Sequence, residues 1–210
     1  MTIRLHRGDL PDLSRYTRGA VAIDTETMGL DPRRDRLCVV QLSPGDGSAD
    51  VVQIPTGAPS APNLTRLLAD ESILKLFHFA RFDLGILQRT LGVMPAPVYC
   101  TKIASRIART YTDKHGLKDL VREVLGVDLS KQQQLSDWGA NELTDPQVAY
   151  AASDVLHLHA LKEKLDAMLA REGREGLAGA CFRFLPDRVR LDLAARQGSL
   201  SVSGGSSDSV

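Results

Sequence analysis

The chain has 210 residues, 43% of them apolar and 25% charged, and its 26 basic and 26 acidic side chains cancel to a formal net charge of zero. This is the balance of a globular protein, long enough for one domain with a sizeable core, and it excludes a low-complexity or disordered chain. The missing basic excess argues against a protein that grips long nucleic acid mainly through Lys and Arg, and leaves short substrates or phosphates held by metal.

In chain order, residues 2–6 alternate and predict an edge strand. Residues 19–25 are an apolar run ending in a polar one, as in a buried strand, and 36–43 form another. The turn residues Pro44-Gly45-Asp46-Gly47 lead to a third run at 50–54, so these three predict a hairpin meander. The pattern then alternates. Leu64, Leu67 and Leu68 predict a helix over 63–70, followed by a strand over 72–78 and a helix over 80–91. A short strand near 97–100 precedes helices over 101–110 and 116–125, the latter stopped by Gly126. Residues 127–142 are polar and irregular. Thr144-Asp145-Pro146-Gln147 is a helix start with Thr144 as N-cap, and it predicts one long helix to about Glu172. Residues 1–193 are expected to form the domain, and the Ser- and Gly-rich 194–210 a flexible tail.

Cys38, Cys100 and Cys181 sit in or beside apolar runs without a CxxC pair, and predict reduced, mostly buried thiols of a cytoplasmic protein. The N-terminus has no apolar stretch of a secretion signal, and no run reaches the roughly 18 residues of a membrane span.

Three groups of residues point to chemistry. Asp24 and Glu26 stand one residue apart at the end of a strand, so their carboxylates share a face. Two such charges disfavour each other's ionisation unless a cation lies between them. His78-Phe79-Ala80-Arg81-Phe82-Asp83 runs from a strand end into the first turn of a helix. Tyr150 and Asp154 are four apart on the long helix and share a face, with small residues between. Each group alone has an ordinary reading: a solvated strand end, a carboxylate at a helix start, a surface pair. Their conjunction is specific.

A strand-borne DxE, an HxAxxD after a later strand and a helical YxxxD occur in the order and spacing of the DEDD exonuclease motifs. The chain therefore resembles the tyrosine branch of that superfamily, the DEDDy 3′–5′ exonucleases of the ribonuclease D-like family, over roughly residues 15–165. Gln132-Gln133-Gln134-Leu135-Ser136-Asp137-Trp138 and the stretch from Leu143 to Val155 strengthen the resemblance. The histidine branch places His five residues before the last Asp, where this chain has Ala149. The resemblance implies an α/β fold of ribonuclease H-like type, a mixed β-sheet flanked by helices. It also implies two divalent cations, Mg²⁺ or Mn²⁺, which prefer carboxylate oxygens. Asp24 would bridge both cations, Glu26 and Asp154 would hold the one that activates water, and Asp83 would support the other, partly through water. Tyr150 would orient the attacking water, its usual pKa making it a poor base. Thr25, His78 and Arg33 are candidates to touch substrate.

No counterpart of the helical domains that follow the exonuclease domain in ribonuclease D is expected in the residues after 193. Leu30, six after Asp24, stands where exonucleases of very short RNA place a leucine wedge between bases; the ordinary alternative is a loop leucine packed inward. Together with Thr2-Ile3-Arg4-Leu5-His6-Arg7-Gly8-Asp9-Leu10-Pro11, this resembles the single-domain nanoRNase C group. That resemblance implies a ring-like homo-octamer cleaving RNA dinucleotides to nucleoside 5′-monophosphates, with DNA a further possible substrate. The sequence after Leu193 departs from the aromatic and acidic C-terminus expected there. Arg33, Arg34 and Arg36, and separately Lys102, Arg106 and Arg109, are candidates to hold phosphate; most such groups are solvated faces. General trimming of tRNA or DNA 3′ ends is the alternative, and a non-catalytic binding module is disfavoured because all four carboxylates and the tyrosine are present.

Overall fold

The computed structural model describes residues 2–57, 60–130, 132–133 and 135–194. The proposed tail lies outside the described residues apart from Ala194. The strands are β1 (Thr2–Arg7), β2 (Ala20–Thr27), β3 (Leu37–Ser43), β4 (Ser48–Gln53), β5 (Leu74–Phe77) and β6 (Val98–Cys100). The helices are α1 (Pro62–Ala69), α2 (Ala80–Leu91), α3 (Thr101–Ala108), α4 (Leu117–Leu125), α5 (Asp145–Leu156), α6 (Leu158–Arg171) and α7 (Glu175–Ala194).

The strands form one sheet in the order β1-β4-β3-β2-β5-β6. The meander expected from the sequence is present, with β3 antiparallel to both β2 and β4. β1 runs parallel to β4 at one edge, and β5 and β6 continue parallel from β2 at the other. The sheet is thus mixed and has helices on both faces, the ribonuclease H-like architecture the motifs imply.

Strand periodicity divides the core in two. Val21 and Ile23 of β2 face Leu64, Leu68, Leu84 and Leu87 from α1 and α2, with Leu185 and Val189 of α7. Ala22 faces the other side, with Ala104, Leu120, Ala151, Val155 and Leu161 of α3 to α6. β3 is covered on both faces and buried throughout, and it is apolar except at Gln41 and Ser43.

Two expectations are corrected. The helix predicted from Thr144 to Glu172 is two helices that meet at His157, which ends α5 and begins α6. The break allows α5 to lie against the sheet through Ala151, Ala152 and Val155 while α6 presents Leu158, Leu161 and Leu165 to its neighbours. The start of α5 does follow the sequence: Thr144 and Gln147 form a reciprocal capping box. The second correction is α7, which the sequence reading omitted. Gly176, Gly179 and Pro186 disguise it. Its signal was the spacing of Ala178, Leu185 and Val189, all buried on one stripe.

Cys38 and Cys100 are buried, Cys181 is half-buried, and all three are free thiols. No described helix is long and apolar enough to cross a membrane.

Candidate active site

The carboxylates meet where β2 emerges from between the two helical layers. Asp24 and Glu26 occupy alternate positions of β2 and face the α5 layer, from which Asp154 and Tyr150 approach. Oxygens of Asp24, Glu26 and Asp154 lie within 4.8 Å of one another. Thr25, between the two acids, faces the other way, and its hydroxyl donates to the Asp83 carboxylate at 2.7 Å. Asp83 enters from the first turn of α2. The structure brings the four acids into one region, but only three share a single coordination-sized space; Asp83 is anchored beside it by Thr25.

The site is electrostatically unsatisfied. Burial, then the charges of Asp83, Asp154 and Glu26, holds Asp24 well above the usual carboxylate range. Burial, then Asp154 and Asp83, pushes Glu26 up to about 8. Burial raises Asp83 to about 7 against the opposing Thr25 hydrogen bond, and raises Asp154 to about 7 against its contact with the Tyr150 hydroxyl. An all-oxygen donor set whose members penalise each other's charge is one that a hard divalent cation relieves. The acidic cluster fits such a cation.

Tyr150 leans on Trp138, with ring centroids 6.0 Å apart. Burial, then Asp154, Glu26 and Asp24, raises its hydroxyl above the ordinary tyrosine value. The group stays protonated at physiological pH and is suited to orienting water rather than to taking its proton.

One residue near the acids had no usable sequence signal. Gln41 of β3 is fully buried, pairs with Asp24 across the strands, and donates from Nε2 to Asp24 Oδ2 at 2.7 Å. Only the β2–β3 register reveals it. Phe79 is also significant: it is the sole non-glycine with positive φ among the described residues (69°), and its ring is 49% exposed. Such backbone strain recurs at binding sites.

His78 lines the carboxylate cleft, of about 350 Å³, with Phe79, Lys102, Lys118 and Tyr150. Its Nδ1 lies 2.9 Å from the Thr101 hydroxyl, and burial, then Lys102, lowers its pKa to about 3, so the ring is neutral. Thr25 is committed to Asp83 and acts behind the site. Leu30 is 90% exposed, so it does not pack inward. It lines a neighbouring cleft of about 520 Å³ with Phe79, Phe82, Arg81 and Arg33. Arg33 is on that cleft's rim, but its guanidinium is engaged by Asp31 at 3.0 Å. Of the other basic candidates, Arg34 is paired with Asp35. Arg36 is spent on the carbonyls of Leu37, Ile54 and Gly139. Arg109 does not share the exposed face of α3: it is buried against Glu123 at 2.5 Å, with Nη1 donating to the Ser105 hydroxyl at 3.0 Å.

Comparison with known proteins shows the family of the chain. A 3′–5′ exonuclease family model matches residues 10–170. Ribonuclease D of Gluconacetobacter diazotrophicus is 40% identical over 157 residues, 73% of this chain and 39% of that protein. The chain thus spans well under half the length of this curated relative. Brucella melitensis NrnC superposes with a TM-score of 0.90 at 62% identity, covering 92% of this chain and 94% of that one. The same protein has been solved with bound Mg²⁺ and bound to pGG. Escherichia coli RNase D, described as an exoribonuclease involved in structured RNA processing, superposes with a TM-score of 0.75 at 28% identity, over 84% of this chain and 46% of that one.

Proposed function

The chain belongs to the 3′–5′ exonuclease family, and from that premise we propose that it hydrolyses very short RNA, dinucleotides above all, to nucleoside 5′-monophosphates. The observation that carries the chemistry is the convergence of Asp24, Glu26 and Asp154 within 4.8 Å, beside Tyr150 and Asp83. In this reading Asp24, Glu26, Asp83 and Asp154 hold two divalent cations, Mg²⁺ or Mn²⁺. When bound, such cations supply an activated water and charge stabilisation at the leaving oxygen. Water adds to phosphorus, the bond to the 3′ oxygen breaks, and a 5′-monophosphate leaves with the remainder ending in a 3′ hydroxyl.

The chain's own groups orient these parts. Gln41 fixes one oxygen of Asp24, and Thr25 fixes Asp83. The protonated Tyr150 hydroxyl positions the water. Replacing Tyr150 by Phe should lower kcat about 10- to 100-fold with little change in KM. Wild-type kcat in that variant would remove Tyr150 from the reaction.

Leu30 supports the short substrate. Its side chain projects into solvent beside the cleft, free to insert between two bases, and pGG occupies the similar NrnC. His78 and Phe79 face the same substrate space, and Arg33 stands at its rim. Rates on 5′-labelled RNA from two to about twenty nucleotides, with Mg²⁺ and with chelator, test this reading; the dinucleotide should turn over fastest, and only with metal. A flat profile would instead indicate general 3′ trimming of tRNA, longer RNA or DNA. Leu30→Ala should slow the dinucleotide about tenfold and longer RNA less; equal losses would eliminate the wedge.

The proposed domain is residues 1–193, because Leu185 and Val189 of α7 complete the core beneath α2. A cytoplasmic, ring-like homo-oligomer completes the proposal, its assembly measurable by light scattering.

A further inference from the structure

Phe79 stands where three depressions meet: the carboxylate cleft, the Leu30 cleft, and a groove of about 570 Å³ between α3 and α7. The groove has no part in the chemistry described above. Its floor is apolar, formed by Ile103, Ile107 and Leu185, and the ring of Phe184 at its side is 54% exposed. Its rim is basic: Arg81, Lys102, Arg106 and Arg188 line it, and no carboxylate does. Arg81 and Arg188 share one acid, Asp192, just outside. Four cations against one acid is a local excess in a chain whose charges otherwise cancel.

Exposed aromatic rings bordered by cations suit single-stranded nucleic acid, whose bases stack on the rings while its phosphates follow the charges. Continuity gives the direction. Phe79 and Lys102 line both the groove and the carboxylate cleft, and Lys102 Nζ lies 4.2 Å from the centre of the Phe79 ring. A strand whose 3′ end is being cut has its 5′ portion to place, and a basic, aromatic path leads away past Phe79.

We propose that the α3–α7 groove holds the 5′ portion of single-stranded RNA whose 3′ end occupies the carboxylate cleft. It extends the substrate range beyond the dinucleotide by adding affinity, without touching the reacting bond. The proposal rests on the exonuclease reading above.

Arg106→Glu and Phe184→Ala test it, because both residues are exposed and neither lines the carboxylate cleft. The measurements are kcat and KM on a dinucleotide and on RNA of about ten nucleotides, a length within the span that such binding surfaces cover. Arg106→Glu should raise KM for the longer RNA about tenfold and lower the log–log salt dependence by about 0.7. Phe184→Ala should raise that KM about five- to tenfold. Dinucleotide kinetics should be unchanged in both, which also reports an intact fold. An unchanged KM for the longer RNA in both variants overturns the proposal. So does an equal loss on both substrates with a smaller assembly in light scattering, which would seat a second copy of the chain in the groove. If the wild type cleaves no RNA at all, the exonuclease reading fails first. Fluorescence anisotropy of the longer RNA in chelator then decides the groove separately, by whether Arg106→Glu weakens binding.

Discussion

Asp24→Asn should reduce dinucleotide hydrolysis on the order of 10⁴-fold, a loss of about 5 kcal/mol of barrier lowering, while the protein stays folded. Asp24 is the member of the cluster that the charges of all three other acids act upon, and Gln41 donates to it at 2.7 Å. Asparagine keeps the shape and can still pair with Gln41, but it removes the negative charge that a cation requires. Asp154→Ala should be similarly inactive, since Asp154 shares the same 4.8 Å space. Asp83→Asn should cost less, because Asp83 is tied to Thr25 and lies outside that space. Initial rates at saturating Mg²⁺, with circular dichroism to verify folding, make the measurement. A folded Asp24→Asn protein with wild-type turnover would sink the metal-carboxylate reading.

The same substitution should have the opposite effect on the stability of the metal-free protein. Well below pH 4 the cluster is protonated in both folded and unfolded chains. As pH rises from about 4, the unfolded carboxylates release protons that the folded cluster retains, because Asp83 and Asp154 titrate near 7 and Glu26 near 8. Stability contributed by the cluster is therefore lost progressively as pH rises from about 4 through the folded titrations near 7 and 8. Asp50 runs the other way: burial raises it, but Tyr16, His6 and Arg15 outweigh burial and hold it below the usual range. The difference between wild type and Asp24→Asn isolates the cluster from such groups. In chelator, the variant should match the wild type near pH 3.5 and melt about 5 °C higher at pH 8. Mg²⁺ or Mn²⁺ should raise the wild-type Tm at pH 8 and the variant's much less. Parallel Tm–pH curves for the two proteins in chelator would refute this.

The elements that were legible in advance were those whose apolar pattern is set by one uniform environment. The strands β2 and β3, buried on both faces, and α2, with a regular stripe, fall where the sequence puts them. The α5–α6 break was not legible, because His157 carries no breaker residue's signature; what bends the chain is the need to cover the sheet with one half and α3 with the other. The long α7 was hidden by its glycines and proline, which weaken local propensity but are overridden once Leu185 and Val189 reach the core.

For the site, the sequence by itself determined that Asp24 shares a face with Glu26 and Tyr150 with Asp154, because strand period and helix period fix neighbours within one element; that these pairs and Asp83 converge was implied only by the resemblance of their motifs. Tertiary structure alone decided the rest: Gln41 on Asp24 through strand register, Asp83 set apart by Thr25, Arg109 drawn inward to Glu123, and Leu30 turned outward. Those outcomes depend on distances between segments remote in the chain, and a local pattern carries no information about which partner a buried polar group will find.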